Sequence, residues 1–482
     1  MDVTILSHAC LLVRSGDTRI IVDPWLLGSC YWRSWWNFPQ AVFDPDELGK
    51  VDAVIISHVH WDHWHGPTLK KFFKDTPIIV PDEPGQRSRR DLAALRLGPV
   101  RAARHGETIH IGPIAITLYQ FGLFLNDAAL VIEADGHALL DANDAKLAGG
   151  VLQRIVDRHG PFSLAFRSHS SANPRIRFQT LDNPAAVHDD RDHYFRAFTL
   201  FMDAVQPRHA VPFASNHCHL HDDVFALNSY VSNPVELAAY VAAQPEPHGW
   251  DLAVMLPGAR WSSETGFHMA PLTPFDDLPA SLAAYRQQVA PTLDRYRETE
   301  MAVTISDATW RRLLKMVTAA PRLLRPAGPV CIEAIWPDGR SARAVLDARA
   351  GTLDLASALE PGRDVPVLRF PAIVLRDAIL KNMFHHAGIS KRCAFIAADA
   401  TAMRRLQRVF KLLELVEHEV LPLNSAYFGR MARAYLARWR ELIVYGRAAW
   451  LAKVRRLPMY LVEERILGGA APVTQGTITR KI

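Results

Sequence analysis

Along the first 270 positions, short apolar runs bounded by turn residues alternate with amphipathic stretches. ACLLVRSG and TRIIVDP flank Ser15-Gly16-Asp17 and predict a β-hairpin. Val51 to Ile56 reads as a buried strand, GPTLKKFFKD as a short amphipathic helix and TPIIVPD as another strand. QRSRRDLAALRLG predicts a helix with a basic start, and ETIHIGPIAITLYQF returns to strands. AALVIEADGHALLDANDAKL reads as two strands around Asp135-Gly136, followed by the helix GGVLQRIVDRHG and the strand FSLAFRS. After the amphipathic helix DHYFRAFTLFMDAVQ come two short strands, HAVPFA and LAVMLPGARW. Helices alternate with strands, but hairpins are interspersed. The class is therefore α/β, and the mixture favours a sheet sandwich covered by helices over a doubly wound sheet.

Pro271 to Pro279, PLTPFDDLP, has the composition of a linker, dividing a sandwich domain over 1–270 from a second region over 280–482. That region opens with helical patterns, passes through VCIEAIWPDGRSARAVLDARAGTLDL with a hairpin at Pro337-Asp338-Gly339, and turns helical again at PAIVLRDAILKNMFHH. Its strands-then-helices order is similar to sterol-carrier-like domains. His385-His386 reads as a helix-end pair. Thr401 to Arg456 is basic and amphipathic, suited to packing on the first domain or a second subunit, to an acidic ligand, or to a membrane surface. The last 25 residues, ending in TQGTITRKI, read as a loosely ordered tail.

At 482 residues the chain calls for two or three cores, and its net charge of +5 does not demand a nucleic-acid partner. Five scattered cysteines without a CxxC pair suit free thiols in a reducing compartment. Met1 to Leu6 runs straight into a strand pattern, and no later run reaches about 18 apolar residues. A cytoplasmic protein without a transmembrane segment is expected.

Chemistry concentrates in SHVHWDHWHG, Ser57 to Gly66, which sets His58, His60, Asp62 and His63 on the loop leaving the Val51–Ile56 strand. His58 and His60 point the same way on an extended segment, while Asp62 and His63 can turn to a second position, so two metal ions are expected. Imidazole and carboxylate suit zinc, iron or manganese. A carboxylate just past a buried strand can bridge two ions; Asp144 is the candidate and Asp141 the fallback. His169, in the polar group His169-Ser170-Ser171, also follows a strand, as a ligand or a hydrogen-bonded loop histidine. His217, His219 and His221 form a second concentration of ligand types. Trp25, Trp32, Trp35 and Trp36 crowd the segment after Asp23, as a substrate wall over the metal site or as loop packing.

HVHWDH resembles the HxHxDH loop of the metallo-β-lactamase superfamily, which implies an αββα sandwich with a dinuclear site on one edge. SHACLLVRSGDTRIIVDPWLLG, DGHALLDANDA, QPRHAVPFA and LPGA are further similar, in order and spacing, to the metallo-β-lactamase-like part of CMP-N-acetylneuraminate hydroxylases. The resemblance implies that His58 and His60 bind the first metal, Asp62 and His63 the second, and that Asp144 bridges. It makes His221 the last metal histidine, with His219 and His217 as alternatives. Asp23 would orient a ligand histidine and His8 would approach the same edge. Asp62 and Asp144 are thereby the candidate catalytic carboxylates.

Two departures from the pattern carry weight. Where the superfamily supplies a further histidine, this chain reads YQFGLFLNDAALVI, leaving an open position or an oxygen ligand such as Asp127, with His169 the alternative. The hydroxylases' Rieske domain has CxH and CxxH pairs, and here no CxH stands beside a CxxH, so no Rieske cluster is expected. The resemblance and the oxygen-richer first site together favour a non-haem diiron oxygenase hydroxylating a small, partly apolar substrate with electrons from an external donor. The alternative is a dinuclear zinc hydrolase of an ester, lactone or amide. A metal-binding or lipid-carrier scaffold is a third class, and a homo-oligomer is compatible with any of these.

Overall fold

The computed structural model describes residues 1–467 except 123, 171, 173, 182–190, 356–361, 456 and 458. The expected tail from 468 onward, and Ser171 of the polar group after His169, lie outside the described residues.

The class is mixed α/β, and the first 270 residues form a sandwich of two sheets with helices on both outer faces, the expected αββα layering. In the first sheet the strands Gly266–His268, Arg260–Ser262, Asp2–Ser7, Cys10–Ser15, Thr18–Val22, Ala53–Ile55, Ile78–Pro81 and Val100–Ala103 lie in that order. The second runs Asp251–Leu252, His209–Phe213, Leu164–Ser168, His137–Asn143, Asp127–Ala134, Ile114–Phe121 and Thr108–Ile111. Strand side chains alternate between faces, and the cores record that period. Leu11, Val13, Ile20, Val22 and Ile55 point inward to meet Leu130, Ile132, Phe166 and Phe213 of the other sheet. Leu12, Ile21 and Val54 point outward, into a layer with Leu69 and Leu92 of the helices Gly66–Phe72 and Arg87–Ala94. On the far side Val131, Leu140 and Ala165 pack against the helices Gly149–His159 and Arg191–Val205.

All strands of the sandwich end by His268, and the helix Leu278–Met301 follows. A third sheet, ordered Phe178–Thr180, Ala394–Ala397, Val367–Pro371, Pro329–Ile335, Ser341–Asp347 and Thr352–Asp354, lies beyond it under the helices Asp307–Thr318, Ala372–Lys381 and Ala400–Glu417. Its edge strand comes from the first 270 residues, since Phe178–Thr180 pairs in parallel with Ala394–Ala397. The stretch read as one helix through His386 is two, Ala372–Lys381 and Phe384–Ile389. Asn382, with φ of +54°, ends the first in the left-handed conformation that halts a helix. The following turn, with His385 and His386, thereby leaves the first helix axis. Among the described residues no helix is long and apolar enough to cross a membrane.

Candidate metal centre

The site forms where adjacent strands of the first sheet end together. Ala53–Ile55 lies in parallel beside Thr18–Val22, so Asp23 and Ser57 meet at the same edge. The buried Asp23 carboxylate collects four donors. Oδ1 accepts the Ser57 N–H at 2.7 Å, while Oδ2 accepts the Ser57 hydroxyl at 2.5 Å and the Asn143 amide at 2.6 Å and lies 2.9 Å from His63 Nδ1. With Nδ1 toward Asp23, His63 turns Nε2 toward Asp62 at 3.5 Å and Asp144 at 3.3 Å; outweighing burial, Asp62, Asp144 and Asp23 raise its pKa well above the usual value, and a metal bound at Nε2 would take the place of that proton.

Two groups of three possible ligands result, each with its ligand atoms within 4.8 Å of one another. One is His58, His60 and Asp144; the other is His8, Asp62 and His63. His58 Nε2 and His60 Nδ1 are 2.8 Å apart, close to the edge of a coordination sphere with metal–nitrogen bonds of about 2.1 Å. Asp144 belongs to the first group yet reaches His63 of the second, as a bridging carboxylate must. His8 Nε2 stands 3.2 Å from Asp62 Oδ2 and completes the second. The hairpin Asp2–Ser7 to Cys10–Ser15 delivers it, with an irregular register between Ile5 and Ser7.

Electrostatics suits this donor set. Burial, reinforced by His63, holds His58 below its usual pKa, and burial with His58 and His385 pushes His60 well below, so both are neutral. For Asp62 the cost of burial is outweighed by His63 and His8, and its carboxyl falls well below the usual range. Asp144 is lowered in the same way, burial being overcome by His63 and His58. Burial raises the carboxyl of Asp127, at the start of its strand, and nearby His58 only partly offsets this. Among the described residues, His63 Nε2, both ring nitrogens of His8 and Asp127 Oδ1 are buried without a hydrogen-bond partner. Unpaired buried nitrogens and oxygens around two clusters, with no thiolate among them, fit two divalent ions.

The later histidines fall elsewhere than expected. His217–His219 pairs antiparallel with Trp35–Asn37. His217 stacks on Trp35 at 3.6 Å, with its ring 5.7 Å from His8. His219 Nδ1 lies 3.2 Å from the Ser34 carbonyl. His169 is fully buried within electrostatic reach of His8, and burial takes its pKa to about 3. None of these three joins either group. His221, the expected last ligand, also lies outside both, because Glu300 of the helix Leu278–Met301 takes its Nε2 at 3.3 Å. Glu300 and Asp223 in turn bind the buried Arg392 guanidinium, each at 2.6 Å.

The aromatic segment divides as well. Positive φ at Tyr31, Trp32 and Arg33 throws successive side chains in different directions. Trp25 and Trp35 pack near His8, and Trp36 joins Cys218 and Leu282 in a separate core. Of the four tryptophans only Trp32 lines the main cavity, about 750 Å³, where Tyr31, Trp61, Trp64, Tyr296 and Met383 join it. This chamber lies between the sandwich and the C-terminal region. Tyr31 links it to the second group, donating its hydroxyl to Asp62 Oδ1 at 2.5 Å.

The C-terminal region also reaches the first group. His385 Nε2 is 3.1 Å from His60 Nε2, and His386 Nε2 is 3.3 Å from the Val59 carbonyl. The histidine doublet just past a helix-stopping Asn was the sequence signal for this contact.

Residues 2–150 match the family described as Beta-lactamase superfamily domain. The chain is 26% identical over 250 residues to the cytidine monophosphate-N-acetylneuraminic acid hydroxylase of Cricetulus griseus, covering 49% of this chain and 44% of that protein. It is 30% identical over 157 residues to the Asterias rubens hydroxylase of the same name, covering 31% of this chain and 24% of that one. The chain thus spans less than half the length of these relatives. Solved structures with likeness include an isothiocyanate hydrolase from Delia radicum gut bacteria, with TM-score 0.39 and 16% identity over 54% of this chain and 98% of that one. Another is CmlA, a diiron β-hydroxylase from Streptomyces venezuelae, with TM-score 0.35 and 16% identity over 52% of this chain and 53% of that one. Likenesses this slight carry no chemistry across.

Proposed function

Starting from residues 2–150 as a β-lactamase superfamily domain, we propose that this chain is a dinuclear metalloenzyme, and that its chemistry is non-haem diiron hydroxylation of a small, partly apolar substrate. The observation that carries the reading is the first group's donor set. His58 and His60 are joined there by Asp144, and Asp127, close enough to feel the charge of His58, has an oxygen without a hydrogen-bond partner among the described residues. Two nitrogens and the Asp144 carboxylate, with Asp127 as candidate fourth ligand, would suit iron better than a nitrogen-rich set. Bound iron would supply dioxygen activation, placing one oxygen atom in a C–H bond while two electrons and two protons from an external donor reduce the other to water.

The chain's own residues prepare that chemistry. Asp23 fixes the His63 tautomer, and Tyr31 holds Asp62 from the chamber side. Trp32, Trp61, Trp64 and Tyr296 offer ring faces that would grip an apolar substrate and keep water from its reacting carbon. A second reading, a zinc hydrolase, draws support from the second group, where His8 and His63 make a nitrogen-richer set. The two readings part on metal content. Protein purified anaerobically is expected to hold two irons per chain with a diiron Mössbauer spectrum. Two zinc ions and no iron would overturn the oxygenase reading in favour of the hydrolase.

A further inference from the structure

We infer that the C-terminal region is part of the metal centre: His385, backed by Glu414, positions His60 as a ligand of the first metal. The inference rests on the metal-binding half of the reading above and not on the choice between oxygenase and hydrolase.

The geometry of His60 carries the argument. An imidazole has its two nitrogens on different edges, so one ion takes only one of them. Nδ1 faces His58 Nε2 at 2.8 Å and so belongs to the metal group. Nε2 then bears the proton, and it points at His385 Nε2, 3.1 Å away. A neutral ligand histidine needs an acceptor for that second N–H, and His385 Nε2 serves if its own proton sits on Nδ1. There Glu414 Oε1 waits at 3.2 Å. In that tautomer the donors run in one direction, from His60 to His385 to the carboxylate; Glu414, outweighing burial, raises the His385 pKa in the metal-free chain, and a cation bound at His60 would oppose that proton.

The same small element secures the loop backbone. Glu414 and Glu417 lie three residues apart on the helix Ala400–Glu417, hence on one face. Glu417 accepts the His385 backbone N–H at 2.5 Å and pairs with His386, whose Nε2 lies 3.3 Å from the carbonyl of Val59. Val59 stands between the ligands His58 and His60. Two carboxylates of one helix thus hold two consecutive histidines, of which one faces a ligand side chain and the other the ligand loop. The contact spans 325 positions in sequence.

The test uses the full-length protein, stripped of metal and titrated with Co²⁺ against a chromophoric chelator, with the visible spectrum of bound Co²⁺ as a second readout. Wild type is expected to bind two ions. His385→Ala should weaken one site 10- to 100-fold and shift its Co²⁺ absorption, leaving the other site unchanged. His385→Gln, whose amide oxygen can accept from His60 Nε2, should recover most of that loss, and Glu414→Gln should give an intermediate effect. If His385→Ala lowers only the melting temperature and binds both ions as wild type does, the inference is overturned and the contact is merely structural. If wild type binds no Co²⁺ at all, the metal-centre reading itself fails.

Discussion

Asp23→Ala tests the frame that holds both metal groups. The substitution removes the acceptor of four buried donors: the Ser57 N–H and hydroxyl, the Asn143 amide and His63 Nδ1. Two can be re-paired locally. The Ser57 hydroxyl lies 2.9 Å from His58 Nδ1, and the Asn143 amide 3.0 Å from Ser57 Oγ. The Ser57 N–H and the His63 Nδ1–H are left without an acceptor, and each unsatisfied buried group costs about 1–3 kcal/mol. The metal-free protein should therefore lose about 2–6 kcal/mol, a large part of an ordinary domain's stability. His63 also loses the partner that fixes its tautomer, so the second metal should bind 10- to 100-fold more weakly. Asp23→Asn is a graded control: its amide oxygen can serve the three donors at the Oδ2 position and so keep the His63 contact and the second site, while its NH₂ faces the Ser57 N–H, leaving two donor groups unsatisfied and a stability loss of similar size. Urea denaturation in the presence of a chelator measures stability, and Co²⁺ titration measures the sites. Asp23→Ala within 0.5 kcal/mol of wild type and unaltered at both sites would refute the reasoning.

Two further outcomes are expected. Asp144→Ala should lower bound metal at both sites, because its carboxylate stands in the first group and reaches His63 of the second; two ions retained per chain by elemental analysis would show that Asp144 does not bridge. Burial alone would raise the Glu417 carboxyl, but His386 and then Arg87 hold it at about 2 against a usual 4.5. A carboxyl lowered in the folded state stabilises above its unfolded pKa, and that contribution is lost as pH falls from 4.5 through 2. The loss is on the order of 3 kcal/mol. Glu417→Gln should flatten the acid limb of a pH–stability curve measured by denaturation, and an unchanged limb would assign the acid sensitivity to other groups.

What could be read from the chain, and what could not, follows from how far apart the contacting residues lie. His58, His60, Asp62 and His63 share one loop, and the apolar alternation that builds the sandwich is local, so a period of two in the sequence becomes two faces in the sheet. Asp23 and Asp144 could be singled out as candidates because each directly follows a strand, and both strands end at the same edge of the fold. His8 was undervalued: only the pairing order of the first hairpin brings it beside Asp62. His221 was overvalued for the opposite reason. Spacing from Pro212 placed it near the metal edge, but the helix Leu278–Met301 offers Glu300 to its ring, and a carboxylate on another element leaves no trace in local spacing. The tryptophans looked like one wall because they are close in sequence, yet Trp35 and Trp36 are successive residues of a strand and so face opposite ways, and Trp32 lies in a stretch of positive φ between them and Trp25. The His385 contact was the least visible, since it joins positions 325 apart and depends on a C-terminal region whose third sheet includes the borrowed strand Phe178–Thr180. That dependence has a physical consequence. His60 meets its His385 partner only when the C-terminal region is docked, whereas Asp23, His8, Asp62 and His63 all lie in the sandwich, so loosening the C-terminal region should disturb the first group and spare the second.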